Sequence, residues 1–450
     1  MKFFKNRQNI ITCIIVFVLI LLCIIPMGLN PNWNGERKFH LNQYELMGDS
    51  ILHGRLDLDI EVDPKLNELN NPYDPTEREQ NGVEFAWDHA FYNGKYYMYF
   101  GVVPAVLVFA PFQFITGHAL NTYHATQLFV SIFIIGIFVL FAFFRTNYFK
   151  QMKWSVYILL STAISLMSIW YSIAAPSLYC TAITSALAFE IWSIYLFFRS
   201  IEEKKSGHSP YRFLIGGSIL GALAFGCRPT IALANLIIIP VYYRLLKSSK
   251  ENTWKIYLKL TLTLLPYLVV GVALMWYNYA RFGSVLEFGE SYQLTIGDMG
   301  AYESTSFNLP NILNGFFESL LKFDGFTSRP PFIGFAGLLW EFPLLLLAIF
   351  CVTKKEVREK LREFRAYICS FLTAIFLIII SVATFSPYIL ERYHMDINFL
   401  FGIICFIIIG CSKKLPAWLI YVFSILTIIM CAWLFLVPCD HNIGEALFGH

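Results

Sequence analysis

The sequence predicts an all-α polytopic membrane protein with about eleven transmembrane helices, a juxtamembrane or re-entrant segment and a long first extracytoplasmic loop. Three observations predict it. Apolar residues fill 57% of the 450 positions and charged residues only 14%, against roughly 25% charged in soluble domains. The apolar residues fall mostly in runs of about 20, the length that a hydrocarbon core of about 30 Å requires. The dense basic clusters fall between runs in a way that sorts them to one side.

The runs lie near 9–29, 124–144, 154–173, 178–198, 213–227, 230–246, 256–277, 332–352, 367–386, 397–411 and 416–437. Asn9 to Leu29 is longer and more uniformly apolar than a signal-peptide core and lacks a small-residue cleavage site, so it reads as a retained span. A further run, Phe100 to Gly117, is short and carries Pro104 and Pro111. Charge decides where it belongs. If it does not cross, the N-terminal tail shares a side with the loops at 145–153, 199–212, 244–259, 354–365 and 413–414, and that side holds 23 of the 34 lysines and arginines. The positive-inside rule makes that side cytoplasmic, with the N terminus inside and the C terminus outside. If it crossed, the later basic loops would all move outside. It therefore reads as a juxtamembrane helix ended or kinked by its prolines.

Residues 1–450 form one transmembrane domain, with outer loops at 30–99 and 279–331, and no repeat of 20 to 50 residues divides it. A net charge of +3 and the lack of a dense basic tract argue against a nucleic-acid partner. Ten cysteines lie mostly inside apolar runs without a C-x-x-C, which supports neither a disulfide framework nor a structural zinc site. Walker, G-x-S-x-G, H-E-x-x-H and dinucleotide patterns are absent.

Chemistry is expected in the polar stretch from Asn71 to Gly101. Asn93-Gly94 between aromatic and β-favouring residues predicts a tight turn or short hairpin. Asp88 stands between Trp87 and His89, about a dozen residues before the membrane-level run, where partial desolvation suits a carboxylate to general-base duty. The aromatics there also fit a membrane-interface belt. Upstream, residues 56–63 alternate apolar and acidic side chains, which reads as a half-exposed strand in preference to a metal-binding edge.

Arginines beside the outer membrane surface are costly at that depth and are therefore paired or functional. Arg228 sits in a Gly-Cys-Arg-Pro turn, Arg281 ends a span and Arg392 begins one. Each alone fits a snorkelling anchor; three at one level suit bidentate recognition of a phosphate-bearing lipid. Glu190 and Glu341 are acids inside apolar runs without a matching base in the sequence, and Glu341 is expected to cap or bond a kinked helix.

Residues 44–56 (YELMGDSILHGRL), 87–104 (WDHAFYNGKYYMYFGVVP), 277–295 (YNYARFGSVLEFGESYQLT) and 391–396 (ERYHMD) resemble motifs of the GT-C class of membrane glycosyltransferases, which includes protein O-mannosyltransferases and lipid A aminoarabinose transferases. The topological likeness covers nearly the whole chain and the motifs about a sixth of it. The resemblance implies a bacterial plasma-membrane enzyme. It would transfer a sugar from a polyprenyl-phosphate donor to a cell-envelope glycan, lipid or protein at the outer face, with a first-loop carboxylate as base and inversion at the anomeric carbon. No cofactor is implied with certainty; a divalent metal is compatible. The sequence departs from the class after the first span, where His40, Leu41, Asn42 and Gln43 replace the usual acidic pair. Asp88 is the first candidate for the base and Asp49 the second. Arg228, Arg281 and Arg392 would hold the donor phosphate. Trp87, Tyr92, Tyr96 and Tyr97 would stack on sugars, and His89, Lys95, Glu287, Glu290, Tyr393 and Asp396 complete the substrate-binding candidates. The competing classes are a flippase or transporter of lipid-linked sugars and a polysaccharide polymerase or ligase.

The charge asymmetry gives the first prediction. A cysteine at Glu84 should react with an impermeant thiol reagent from outside the cell and one at Arg362 should not; the opposite pattern would reverse the orientation.

Overall fold

The computed structural model describes residues 7–29, 42–174, 177–249, 253–295, 297–299, 309–323, 337–385 and 391–436. Parts of both expected outer loops, Cys439 and the C-terminal segment lie outside these residues. The chain is a multi-pass α-helical membrane protein. Eight described helices are long and apolar enough to cross a bilayer. They are Arg7–Leu29, Thr122–Asn147, Trp154–Ala174, Leu178–Lys205, the segment 231–248, Arg365–Phe385, Glu391–Cys411 and Ala417–Leu436. A ninth crossing forms if Thr253–Leu262 and Leu265–Phe282, bent by 40°, count as one.

Two of the expected runs form helices shorter than a full crossing. The helix Tyr211–Cys227 has 17 residues, and the run at 332–352 resolves into Leu338–Glu341 and the ten-residue Pro343–Val352. Proline explains the breaks, because it lacks the N–H that continues a helix and crowds the preceding turn. Pro229 follows Arg228 at the end of one helix; Pro343 follows Phe342, whose backbone leaves the helical region at φ −125°, ψ 87°. The kink expected beside Glu341 is therefore present. Pro266 sits in the first turn after the bend at Thr263 and Leu264. Pro240 lies just beyond a 3-10 helix, Ile231–Ile237, which passes into the α-helix Ile238–Ser248.

The segment from Phe100 to Gly117 contains a five-residue π-helix, Ala105–Phe109, and a seven-residue α-helix, Ala110–Thr116. At 1.5 Å per residue such a piece reaches about 18 Å, well short of a hydrocarbon core. It packs on the helix Gln43–Leu52, where the Tyr44 and Phe109 rings stack at 5.4 Å.

Loops that the charge count assigns to one side meet at one end of the bundle. Tyr148 donates to Glu202 at 2.6 Å, Gln151 to the carbonyl of Gly410 at 3.0 Å, and Arg244 to Tyr367 at 3.2 Å. Lys414 pairs with Glu356 at 3.5 Å. At the other end Glu45 accepts from Thr122 N at 2.7 Å, and Arg228 pairs with Asp396 at 2.8 Å. Between the ends the helices bury aromatic rings, among them Phe141 stacked on Phe406 at 3.9 Å.

The first outer loop carries an antiparallel hairpin, β1 (Ala90–Tyr92) and β2 (Lys95–Tyr97). Asn93 and Gly94 turn it with φ of 51° and 72°, as Asn-Gly predicts. The strand expected over 56–63 is reduced to one bridge, Leu58 to Tyr96. Its acids serve local structure instead. Asp57 pairs with Lys95 and Asp59 with Arg55, while Asp63 accepts from Lys65 N and Glu84 N, which hold its carboxyl below the usual range. The nine described cysteines are free thiols.

Gly101 fixes the outer loop to the bundle. A methyl group there would overlap the backbone of Gly226 and Cys227. Gly101→Ala should cost roughly 1–3 kcal/mol of stability by overpacking. Gly271→Ala, at a helical position with open space around it, should be neutral or slightly stabilising. Thermal unfolding of both purified variants checks the contrast.

Candidate functional site

Asp88 lies where the two outer loops join. Its amide donates to Leu294 O at 2.9 Å, Leu294 N returns a bond to His89 O at 2.9 Å, and Ala90 bridges Gln293. Residues 293–294 thus run beside the hairpin as a short third strand. Asp88 has φ of 57°, a left-handed conformation that Asp tolerates better than most residues. This backbone turn aims a carboxylate only 7% exposed into a cluster of polar donors. Gln293 Nε2 donates to Oδ1 at 2.8 Å, the Tyr179 hydroxyl donates to Oδ2, and Gln43 Nε2 donates to the Asp88 carbonyl at 2.8 Å.

Tyr179 joins this acid to a cation. It stands in the first turn of Leu178–Lys205, and its ring lies under the Arg392 guanidinium at 4.1 Å. Arg392 also faces the Tyr393 ring at 5.4 Å and has no ion pair among the described residues. Arg228 lies over the other side of the cluster, 5.6 Å from the Tyr393 ring. Its Nε donates to both oxygens of Asp396 at 2.8 Å, and Thr230 donates to the same carboxylate at 2.7 Å. Asp396 is completely buried. Tyr99 is close enough to feel both Asp88 and Arg392; burial first, and then the Asp88 carboxylate, push its phenol well above the ordinary range. It stays a neutral donor at neutral pH.

The remaining candidates divide. Arg281 is 5% exposed and gives its η nitrogens to Met98 O at 2.5 Å and Asn278 Oδ1 at 2.9 Å, with its guanidinium 3.7 Å above Tyr277. It clamps the chain after the hairpin, apart from the contacts that gather Arg228 and Arg392 around Tyr393. Asp49 accepts from Gln113 at 2.8 Å and faces His53 and Arg55. Tyr92 and Tyr97 pack on Phe282, and the buried Tyr96 accepts from Ala86 N at 3.2 Å. Lys95 is exposed and pairs with Asp57, and the His89 ring meets Tyr96 edge-on at 5.9 Å. Glu287 caps Gly289 N at 2.6 Å, while Glu290 lies within electrostatic reach of Tyr99. Among the described residues no group of three or more His, Cys, Asp or Glu is placed to hold a metal.

Sequence reasoning missed Tyr179, Gln293, Tyr99, Thr230 and Gln43. Tyr179 carries a signal of a kind, since it follows Ser177 at the outer end of a span, but an interfacial tyrosine is common there. The two intramembrane acids also gain partners. Glu190 accepts from Asn235 at 2.9 Å, and Asn235 accepts from Tyr267 at 2.5 Å. Glu341 lies 4.0 Å from the buried His394 ring, which a helix distant in sequence supplies.

No family model, curated protein or solved structure matches this chain.

Removing one member of a buried ion pair leaves the other charge uncompensated, at a cost of about 3–5 kcal/mol. Asp396→Leu and Arg228→Met should each destabilise by about that much, and the double variant by less than the sum. Thermal unfolding of the four purified proteins measures the coupling.

Proposed function

We propose that this protein is a membrane glycosyltransferase that moves a sugar from a polyprenyl-phosphate donor to a cell-envelope acceptor at the outer face of a bacterial plasma membrane. The observation that carries the reading is Tyr179, one side chain that bonds the Asp88 carboxylate and stacks on the Arg392 guanidinium. It joins a base candidate to a cation that has no ion pair among the described residues, which supports a site shared by the two. The resemblance of the 87–104, 277–295 and 391–396 segments to GT-C enzymes supports the same reading, and so does the meeting of those three segments around this cluster.

In the proposed reaction the acceptor hydroxyl oxygen attacks the anomeric carbon as the bond from that carbon to the phosphate oxygen breaks. Asp88 takes the hydroxyl proton. The charge gathering on the departing polyprenyl phosphate falls to Arg392, with Arg228 behind it and Tyr99 as a neutral donor, an arrangement of preorganised groups that suits a water-poor cleft. A single displacement inverts the anomeric configuration. Eleven crossings with the N terminus in the cytoplasm put this cluster outside. The sorting of basic loops to one end of the bundle supports that topology, with Tyr211–Cys227, the bent 253–282 pair and the 338–352 pair as additional crossings.

A second reading, a flippase for lipid-linked sugars, draws on the buried Glu341 and His394 pair, since ionisable pairs within spans mark proton and ion paths. It needs the arginines and no base.

The two readings separate at Asp88. Asp88→Asn keeps the shape and removes the charge, so turnover should fall by about 10²–10⁴-fold while donor binding persists. Arg392→Gln should weaken donor binding itself. Near wild-type transfer by a folded, donor-binding Asp88→Asn protein would remove Asp88 as base and move the assignment to Asp49, Glu84 or Asp396, or to transport.

A further inference from the structure

A cavity of about 510 Å³ opens in the first outer loop, walled by Pro75, Arg78, Glu79, Phe85 and Trp87 and closed on one side by Thr295. It lies outside the contacts that gather Asp88, Tyr179 and Arg392, yet it adjoins them through the chain. Trp87 precedes Asp88, and Thr295 follows Leu294, whose carbonyl takes the Asp88 amide. The cavity wall is therefore one residue along the chain from Asp88.

The wall has a specific chemistry. Phe85 and Trp87 are half-buried, with ring centroids 6.3 Å apart and planes tilted by 35°. Arg78 is fully buried and supports this aromatic corner, its guanidinium 4.5 Å from the Phe85 ring. Its η nitrogens are spent on Pro72 O and Thr295 O, while its Nε is buried without a hydrogen-bond partner. Glu79, at the exposed end of the helix Pro75–Gln80, has a carboxylate with no ion pair among the described residues. The site therefore offers aromatic faces, an exposed carboxylate acceptor, a hydroxyl and one buried donor without a partner among the described residues.

We propose that this cleft binds a neutral sugar residue of the acceptor, which makes the acceptor a carbohydrate; the inference rests on the glycosyltransferase reading. A pyranose has an apolar C–H face and a rim of hydroxyls. The face gains dispersion contact on the Phe85 and Trp87 corner, and the rim hydroxyls donate to Glu79 in charge-assisted bonds. The volume lies within the roughly 300–1,000 Å³ of small-molecule pockets. An anion is disfavoured, because Glu79 stands at the mouth and the η nitrogens of Arg78 are taken. A peptide strand would look for backbone partners, and the Thr295 carbonyl is already bonded to Arg78.

Saturation-transfer NMR on the full-length protein in detergent tests the cleft without donor or turnover. The probes are maltotetraose, cellotetraose, chitotetraose and mannotetraose, with trigalacturonate as the acidic comparison. At least one neutral tetrasaccharide should receive saturation from the aromatic protons, with the signal lowered roughly fivefold or more by Phe85→Ala and also lowered by Glu79→Ala. The exposed Glu79 variant serves if Phe85→Ala does not fold. No transfer to any neutral probe, a signal that survives Glu79→Ala unchanged, or a preference for trigalacturonate would overturn the proposal. Failure here with Asp88-dependent turnover intact rejects the cleft alone. Transfer of saturation by a protein without glycosyl transfer rejects the enzyme reading instead.

Discussion

The bond between Arg228 and Asp396 is the constraint on which the end of the bundle opposite the basic loops depends. A carboxylate with no exposure cannot persist as a charge without a partner of fixed geometry, and Arg228 supplies it through one nitrogen placed 2.8 Å from both oxygens. The pair ties the turn after Tyr211–Cys227 to the second turn of Glu391–Cys411. The Tyr393 ring thereby lies near two guanidinium groups, and Arg392 stacks on Tyr179. Gly101 extends the same anchor to the outer loop, since its lack of a side chain lets that loop lie on the Gly226 and Cys227 backbone behind Arg228. The cation cluster and the Asp88 carboxylate thus owe their meeting to one buried ion pair and one close backbone approach.

From this anchor the outer loops assemble in layers. The hairpin is too short to be stable alone, and it gains its third edge from residues 293–294 of the distant second loop. Arg281 pins the exit of the hairpin through Met98 O, and Arg78 pins its approach through Pro72 O and Thr295 O. Two arginines that serve as structural clamps and two that surround Tyr393 therefore look alike in sequence. Their difference lies in their partners among the described residues: backbone carbonyls and an amide oxygen for the clamps, a carboxylate for Arg228, and ring faces and a phenol for Arg392.

Much of the architecture was legible because it follows from solvent. Hydrocarbon thickness sets the run length and charge sets which loops share a side, and the shortness of the helical piece within 100–117 follows from its short apolar run. The Asn93-Gly94 turn was legible because few residues accept a positive φ. The division of the runs at Phe342 and Thr263 was less so; prolines near a break are visible, but whether a helix kinks or stops depends on what packs beside it. At the site, Asp88 stood out by its neighbours, and Arg228 and Arg392 by their cost at the membrane. Tyr179 and Gln293, the two side chains that receive Asp88, come from 91 and 205 residues away, and no local pattern announces a partner at that distance. His394 beside Glu341 was hidden for the same reason. The alternation at 56–63 misled because acids that alternate for a strand can equally be used as caps and ion pairs, and here a cap at Asp63 starts the helix Pro64–Glu68.

The central claim is that Asp88 and Arg392, joined by Tyr179, act together on a lipid-phosphate sugar. Lipid extracts from cells with and without the protein, examined by mass spectrometry, test it most directly. The account predicts that a polyprenyl-phosphate sugar accumulates when the protein is removed and returns to its former level when the wild-type chain is restored. Unchanged pools of every polyprenyl-phosphate sugar in the two extracts would contradict it.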